Sequence, residues 1–493
     1  MRNLILTKKN DVHLVIDADE DVRRDLGEHF TFSVPGFKFM PAYRSRHWDG
    51  KIRLFSYTNG QIYTGLYPYI LNWCKENDVE VVDRTDIKDA NVDDKLVDSF
   101  INKLKIPFEV RDYQKSAFVY SMIKSRCLML SPTASGKSLI IYLMVRFNLI
   151  RLKEEKNNKI LIVVPTTSLV EQLYKDFYEY GFDVDNEVHR IYSGKDKVTD
   201  KRIIISTWQS IYRLKFDWFE QFGAVFGDEV HLFKAKSLTG VMNKCKNAEY
   251  RFGTTGTLDG TETNKLVLEG LFGLTHKVIA TRDLQVRGTL AGLDINVLLL
   301  RYHNDVCHMM KGKTYAEEVD YIVRHEKRNN FIKNMTLDLK GNTLVLFQFV
   351  EKHGKELFEI IKKDADKDRK VFYVSGEIDA KDREQIRGIV ETQKNAIIVA
   401  SLGTFSTGIN IKNLHNIVFA SPSKSQIKVL QSIGRGLRQS DDGSNTTLYD
   451  IADDMHVKSH KNFTLRHSGE RIKIYAKEQF PYKIIPINLK GDK

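Results

Sequence analysis

The chain has 493 residues, of which 42% are hydrophobic and 28% charged, and a formal net charge of +12. This composition suits three or four folded domains of an ordinary globular protein and gives no reason to expect long disorder. Four scattered cysteines without a C-x-x-C pair speak against zinc ribbons and iron–sulfur clusters. With no signal peptide and no run near the roughly 20 apolar residues of a membrane span, a soluble intracellular protein with polyanionic partners is expected.

Residues 1–95 read as a small accessory α/β domain crowded with aromatic and basic side chains. Arg44, Arg46, Lys51 and Arg53 are candidates to neutralise phosphates, with Trp48 taken alongside them. The aromatic residues Phe32, Phe37, Phe39 and Tyr43 are expected to fill the domain's core. The alternative is stacking on unpaired bases. Trp48-Asp49-Gly50-Lys51 reads as a turn between two strand-like patterns. A charged stretch at 83–98 marks a boundary.

From 96 to 280, short β-branched runs at 127–131, 160–165, 202–207 and 224–228 alternate with helical patterns. A second series from 281 to 454 has runs at 343–349, 371–375, 396–400, 417–420 and 447–451. The basic stretch 311–333 is expected to connect the two series. Residues 455–493 read as a short basic extension. The fold class is α/β, with two tandem parallel-sheet domains of one architecture.

The run Ser131-Pro132-Thr133-Ala134-Ser135-Gly136-Lys137-Ser138 follows a predicted strand and opens an amphipathic helix. This is the context of a phosphate-binding loop. Backbone amides and Gly136 cradle the phosphates, Lys137 reaches the β and γ phosphates, and Ser138 ligates magnesium. The strict pattern has glycine where Ser131 stands. Asp228 and Glu229 end a hydrophobic strand 91 residues after Lys137. Asp228 is placed to hold magnesium, directly or through water. Glu229 is counted with Ser138 and Asp228 in the magnesium set and is placed to activate the water that attacks the γ-phosphate. Arg435 and Arg438 lie three apart on a predicted helix, as in a composite site where arginine stabilises phosphoryl transfer.

In this order the segments resemble the motifs of superfamily 2 helicases of the DExH type, which implies two RecA-like domains, ATP and Mg2+. By that resemblance, Arg111 and Gln114 belong to an adenine-reading segment, with Gln114 carrying the base contact. Pro165, Thr166 and Thr167, and then Thr207, Trp208 and Gln209, match backbone-gripping motifs. Asp228-Glu229-Val230-His231 is motif II, and His231 joins the catalytic set. Thr254-Thr255-Gly256-Thr257 stands where Ser-Ala-Thr is usual, with Gly256 replacing alanine. In the second domain Ser375 and Gly376, and Ser401, Gly403 and Thr404, match nucleic-acid motifs. Gly408, Asn410 and Gln431 match nucleotide contacts, with Asn410 replacing the common aspartate.

Trp48-Asp49-Gly50-Lys51 and its neighbours, together with Tyr373-Val374-Ser375-Gly376, are similar more narrowly to the UvsW family of T-even phages. That resemblance implies an enzyme that remodels branched DNA, namely forks, Holliday junctions and single/double-strand junctions, in recombination, replication and repair. It implies a monomer in the cytoplasm of an infected bacterium, with phage recombination or single-strand-binding proteins as protein partners. The core motifs leave an RNA helicase and a duplex translocase open as alternatives.

Overall fold

The computed structural model describes residues 2–132, 134–233, 235–258, 261–288, 292–378, 380–404, 413–421 and 445–489. It divides into two compact units, Met1–Ile279 and Ala280–Lys493.

The first unit opens with β1 (Asn3–Lys8), β2 (His13–Ala18), β3 (Thr31–Ser33), β4 (Lys51–Arg53), β5 (Gln61–Tyr63) and β6 (Glu80–Arg84). Four of them form a mixed sheet in the order β5-β2-β1-β6, and β3 pairs with β4. Alternation in β1 and β2 turns Leu4, Leu6, Leu14 and Ile16 to one buried face. The same apolar cluster continues through Phe219, Phe222, Leu266 and Phe272 beyond this sheet, so the N-terminal sheet shares one core with the remainder of its unit. Contact there is backbone-close. A Cβ on Gly65 would lie 2.0 Å from the Glu269 carbonyl, and Tyr69 Oη donates to Glu269 Oε2 at 2.7 Å.

The rest of the unit holds β7 (Arg126–Leu130), β8 (Lys159–Val164), β9 (Val188–Ile191), β10 (Ile203–Thr207), β11 (Phe222–Gly227), β12 (Tyr250–Thr255) and β13 (Thr275–Lys277). They form a parallel seven-stranded sheet in the order β13-β7-β12-β11-β8-β10-β9. Strands such as β8, Lys-Ile-Leu-Ile-Val-Val, are buried on both faces, as covered parallel strands must be. This order sets β12 between β7 and β11, and so between the strand that leads into the phosphate loop and the strand that ends at Asp228.

The second unit repeats the architecture with β14 (Leu293–Arg301), β15 (Thr343–Phe347), β16 (Val371–Val374), β17 (Ile397–Ser401), β18 (Asn416–Phe419), β19 (Thr446–Asp454) and β20 (Tyr482–Asn488). Its parallel sheet runs β16-β17-β15-β18-β19-β14-β20. Two expectations are corrected here. The stretch 311–333 is no connector. It contributes the helices Tyr315–Arg324 and Glu326–Asp338 to the second unit, and Arg328 is fully buried against Asp453. The segment after Asp454 is built into the same sheet. Helix Phe463–Lys477 seats Arg471 on Asp450 at 2.7 Å, and β20 pairs along β14.

Candidate functional site

The phosphate-loop residues join β7 to the helix Lys137–Arg151. The loop turns through two left-handed positions, Ala134 (φ 65°) and Gly136 (φ 75°). Ser131 is not among the positive-φ residues, so serine fits where glycine is usual, and its hydroxyl is used. Ser131 Oγ lies 2.6 Å from Ser135 Oγ, and Ser135 Oγ donates to the Pro132 carbonyl at 2.6 Å. Gln114 braces the loop from outside. Its Nε2 donates to the Ser135 carbonyl at 2.9 Å and its Oε1 accepts from Arg111 N at 2.9 Å. The buried Gln114 amide, expected to read the base, is therefore committed to the loop backbone in this structure.

Because β12 separates β7 from β11, Thr254 and Thr255 stand between the loop and the paired carboxylates. Thr254 Oγ1 donates to Asp228 Oδ1 at 2.7 Å, and Ser131 N donates to the Thr255 carbonyl at 2.8 Å. His231 Nδ1 lies 2.6 Å from Thr255 Oγ1. The Thr255 hydroxyl donates to the Thr257 carbonyl at 2.8 Å, so it accepts from His231, which assigns the proton to Nδ1. Glu229 has a left-handed backbone (φ 50°, ψ 45°).

The Lys137 ammonium bridges both carboxylates. It lies 2.9 Å from Asp228 Oδ1 and donates to Glu229 Oε1. Burial works to lower the Lys137 pKa, but Asp228 and then Glu229 outweigh it and hold the pKa above its ordinary value. Asp228 is only 3% exposed. The buried Asp228 carboxylate is an oxygen donor suited to a hard cation that keeps water and phosphate ligands, such as Mg2+, while the Ser138 side chain bonds Asp176. Among the described residues no three His, Cys, Asp or Glu side chains gather as a metal site.

Further along the same sheet, Pro165 and Thr207 are buried, while Thr167 and Gln209 are exposed. Thr166 caps the helix Thr167–Glu179. Gln209 Nε2 donates to the Pro165 carbonyl at 3.1 Å, tying the two segments together. The half-buried Trp208 packs against the core. Thr207 Oγ1 lies 2.9 Å from Ser210 Oγ. In the second unit Ser375 follows β16 directly and Ser401 ends the neighbouring strand β17. Ser401 Oγ donates to Thr404 Oγ1 at 2.7 Å. Ser375, Ser401 and Thr404 are buried, whereas Gly376 and Gly403 are exposed. Thr133, Gly408, Asn410, Gln431, Arg435 and Arg438 lie outside the described residues.

In the N-terminal sheet region, Arg44, Arg46, Lys51 and Arg53 are all exposed and Trp48 is half-buried. Trp48 Nε1 donates to the Lys51 carbonyl at 2.8 Å, and Arg53 is paired with Asp49. The turn at Asp49-Gly50 exists, with Gly50 at φ 81°. It closes a long loop between β3 and β4, not a tight hairpin. The aromatic residues of this loop do not fill the core as expected. Phe39 is 76% exposed, and Phe37 covers Gly50 and meets Tyr43 edge-on at 4.7 Å. Seventeen residues separate β3 from β4 (34–50), too few apolar anchors to pull every ring inward. Lys38, Arg44, Arg46, His47 and Trp48 line an open hollow of about 570 Å³ here.

Three family models match in succession: DNA helicase UvsW, N-terminal, over residues 5–83; type III restriction enzyme, res subunit, over 101–260; and helicase conserved C-terminal domain, over 326–440. The chain is 35% identical to the ATP-dependent DNA helicase uvsW of Enterobacteria phage T4, covering 97% of this chain and 98% of that protein. The crystal structure of T4 UvsW superposes with a TM-score of 0.52 at 34% identity, covering 99% of this chain and 100% of the other. A fragment of an HsdR subunit of a type I restriction enzyme from Vibrio vulnificus shares the fold, with a TM-score of 0.58 at 17% identity over 80% of this chain and 72% of that one. With this coverage from end to end, and with the phosphate loop and paired carboxylates set on one parallel sheet, the chain belongs to the UvsW family of helicases.

Proposed function

We propose that this chain is an ATP-driven DNA helicase that remodels branched DNA, regressing forks and migrating four-way junctions during phage recombination, replication and repair. It acts as a monomer in the cytoplasm of the infected bacterium. The observation that carries this reading is the ion-paired trio of Lys137, Asp228 and Glu229 at the Ser131–Ser138 loop.

In the structure Lys137 neutralises the two carboxylates. Phosphates of ATP compete for the same ammonium, and its transfer to them leaves Asp228 and Glu229 free to act. Glu229 then accepts the proton of the attacking water. Ser138 and Asp228 would hold a magnesium ion, which would supply positive charge to the phosphates. Thr254 and Thr255 touch both Asp228 and the loop, so a change at the carboxylates is felt at the loop and at His231. Arg435 and Arg438 supply the charge that offsets the transition state. Thr167, Gln209, Gly376 and Gly403 offer exposed contacts to a strand backbone, which carries little sequence information. Substrate choice then falls to shape, through the basic N-terminal loop.

The test is ATP hydrolysis with matched single-stranded DNA, duplex DNA, a four-way junction and structured RNA. Strongest stimulation by the junction, with migrated strands as product, is the expected result. Stimulation by RNA alone would overturn the DNA reading, and hydrolysis without strand products would make the protein a duplex translocase.

A further inference from the structure

One flank of the first unit gathers aromatic and basic side chains outside the ATP site. Directly after Thr207 come two short helices, Trp208–Ile211 and Phe216–Phe219. Phe219 is fully buried and anchors the segment in the core, but Phe216 is 49% exposed and Tyr212 37%. These two rings are not used to fill the interior, and rings grouped on a surface, unlike isolated ones, mark contact sites.

The group is continuous. Trp208 and Tyr212 meet edge-on with centroids 5.7 Å apart. Arg213 Nε donates to Tyr212 Oη at 2.7 Å, and its guanidinium lies 5.3 Å from that ring. Lys244, which ends the helix Ala235–Lys244, donates to the Tyr212 and Leu214 carbonyls at 2.6 and 2.7 Å. Those two bonds pin the turn, so its rings are held in place before any ligand arrives. Lys246 Nζ stands 4.6 Å from the Phe216 ring. The Lys246 carbonyl accepts from Asp11 N at 3.1 Å, in the turn between β1 and β2. A track therefore runs from the Thr207–Gln209 segment to the N-terminal sheet, within one unit.

Its charge selects the ligand. Arg213, Lys215 and Lys246 are exposed, and none has a described salt-bridge partner. Asp217 is the single acid between 208 and 219. Cations beside exposed rings suit a chain of phosphates that carries planar groups. In a duplex the base faces are closed against each other, so rings of this kind favour an unpaired strand.

We propose that this flank is a binding site for single-stranded DNA, in which Tyr212 and Phe216 stack on bases while Arg213 and Lys246 hold phosphates. It extends the grip of Thr207–Gln209 towards the N-terminal sheet. The proposal rests on the reading of the chain as a DNA motor, because the track begins at a strand-gripping segment.

The experiment uses the full-length chain with Tyr212→Ala, Phe216→Ala, Phe216→Tyr, Phe216→Leu and Lys246→Ala, each checked by thermal melting. Fluorescence anisotropy gives the affinity for an oligo(dT) single strand and for a blunt duplex. Tyr212→Ala and Phe216→Ala are each expected to weaken single-strand binding at least about fivefold, the loss of one stacked base, with duplex affinity within about twofold. Phe216→Tyr is expected to keep wild-type affinity and Phe216→Leu to lose it, because leucine restores apolar bulk without a face to stack. Lys246→Ala should flatten the single-strand salt slope by about 0.7, one phosphate contact. Wild-type single-strand affinity in both alanine variants would overturn the proposal and leave the flank to an acidic protein segment. An equal loss on duplex, or equal rescue by leucine and tyrosine, would overturn it too. Should the alanine variants fail to fold, photocrosslinking of wild type to an iododeoxyuridine-substituted single strand decides the matter. Adducts at Tyr212 or Phe216 support the site, and adducts only elsewhere overturn it. Wild-type protein that binds oligo(dT) but whose ATP hydrolysis ignores all DNA would instead overturn the motor reading beneath the proposal.

Discussion

Lys137 and Glu229 are hydrogen-bonded to each other, and the same ammonium lies 2.9 Å from Asp228. One cation therefore serves two carboxylates inside a site where the Lys137 and Asp228 side chains are only 16% and 5% exposed. The pair of negative charges is compatible with burial only while a positive partner is present, either the lysine or whatever takes its place.

Lys137→Ala is accordingly expected to abolish ATP hydrolysis while leaving DNA affinity within about twofold, since the exposed basic residues are elsewhere. Hydrolysis at the normal rate would show that the site is misassigned. Because the Lys137 pKa is raised in the fold, its stabilisation is complete below the ordinary value of 10.5 and declines as the pH rises through the folded value. Wild type should therefore lose a component of alkaline stability above pH 10.5 that the alanine variant lacks, seen as a flatter alkaline limb in denaturant melts.

The two left-handed positions of the loop give opposite mutational signs. Ala134→Gly relieves a conformation that costs an L-residue about 1–2 kcal/mol, and should raise or preserve stability by urea melting. Gly136→Ala meets the same conformational cost and also places a methyl 2.2 Å from Gln114 Nε2. It should break the Gln114 brace, raise KM for ATP and lower the melting midpoint. A Gly136→Ala protein with unchanged KM would show that the brace is unimportant for nucleotide binding.

Much of this site is legible in the sequence because its chemistry is local. A glycine-lysine-serine run after an apolar strand, and two adjacent acids ending another, announce themselves. Which strands are neighbours is not legible. Thr254 and Thr255 matter because β12 lies between β7 and β11, a consequence of crossover connections that no spacing reveals. The stretch 311–333 misleads for a related reason. Its basic character suggests solvent, but Arg328 is matched by Asp453, 125 positions away, and a buried ion pair looks like surface charge until both partners are placed. The short strands β9 and β13 and the edge strand β20 lack the long β-branched run that marks a covered strand. The exposed rings of the N-terminal loop run against the ordinary preference of aromatics for the interior.

Arg328 gives the second unit a sharp test. Its guanidinium donates to both Asp453 oxygens, at 2.6 and 3.1 Å, and to the Ala420 carbonyl, with both side chains fully buried. Removing one partner of such a pair strands the other, at a cost of about 3–5 kcal/mol. Arg328→Ala and Asp453→Ala should each lose stability on that scale, whereas the joint replacement Arg328→Met/Asp453→Leu should recover part of it. Losses below about 1 kcal/mol in a chemical melt would mean the pair is solvated in solution.

Two histidines, the half-buried His13 and the buried His353, set the acid limb. Burial lowers the His13 pKa to about 4, helped by Lys9, Arg251 and Lys246, and burial with Arg328 lowers that of His353 to about 3. Each therefore binds its proton more readily in the unfolded chain. Their contribution to folding is intact above the ordinary value of 6.5 and is lost as the pH falls from there towards the folded values. The melting midpoint of wild type should fall between pH 6.5 and 4, and His13→Gln or His353→Asn should each flatten that fall. Equal pH dependence in the variants would assign the acid limb to other groups.

The exposed residues Arg44 and Arg46 carry the last prediction, which concerns how the protein holds DNA. Neither has a described salt-bridge partner, in contrast to Arg53, which Asp49 holds. A free exposed guanidinium gains most by replacing the counterions condensed on a phosphate, and the gain appears as salt dependence. On duplex arms the slope of log affinity against log salt changes by about 0.9 for each phosphate contact. The double variant Arg44→Ala/Arg46→Ala should therefore bind a four-way junction with a slope shallower by about 1.8 if both arginines contact phosphates. ATP hydrolysis without DNA should be unaffected, because the loop between β3 and β4 contributes nothing to the Lys137–Asp228 site. Arg53→Ala makes the comparison informative. Its charge is already balanced by Asp49, so its slope should change less than that of either single variant. If all three arginines shift the slope equally, the Asp49 pair dissolves when DNA binds. If none does, the basic loop is a solvated surface and the branched-DNA contact lies elsewhere in the chain.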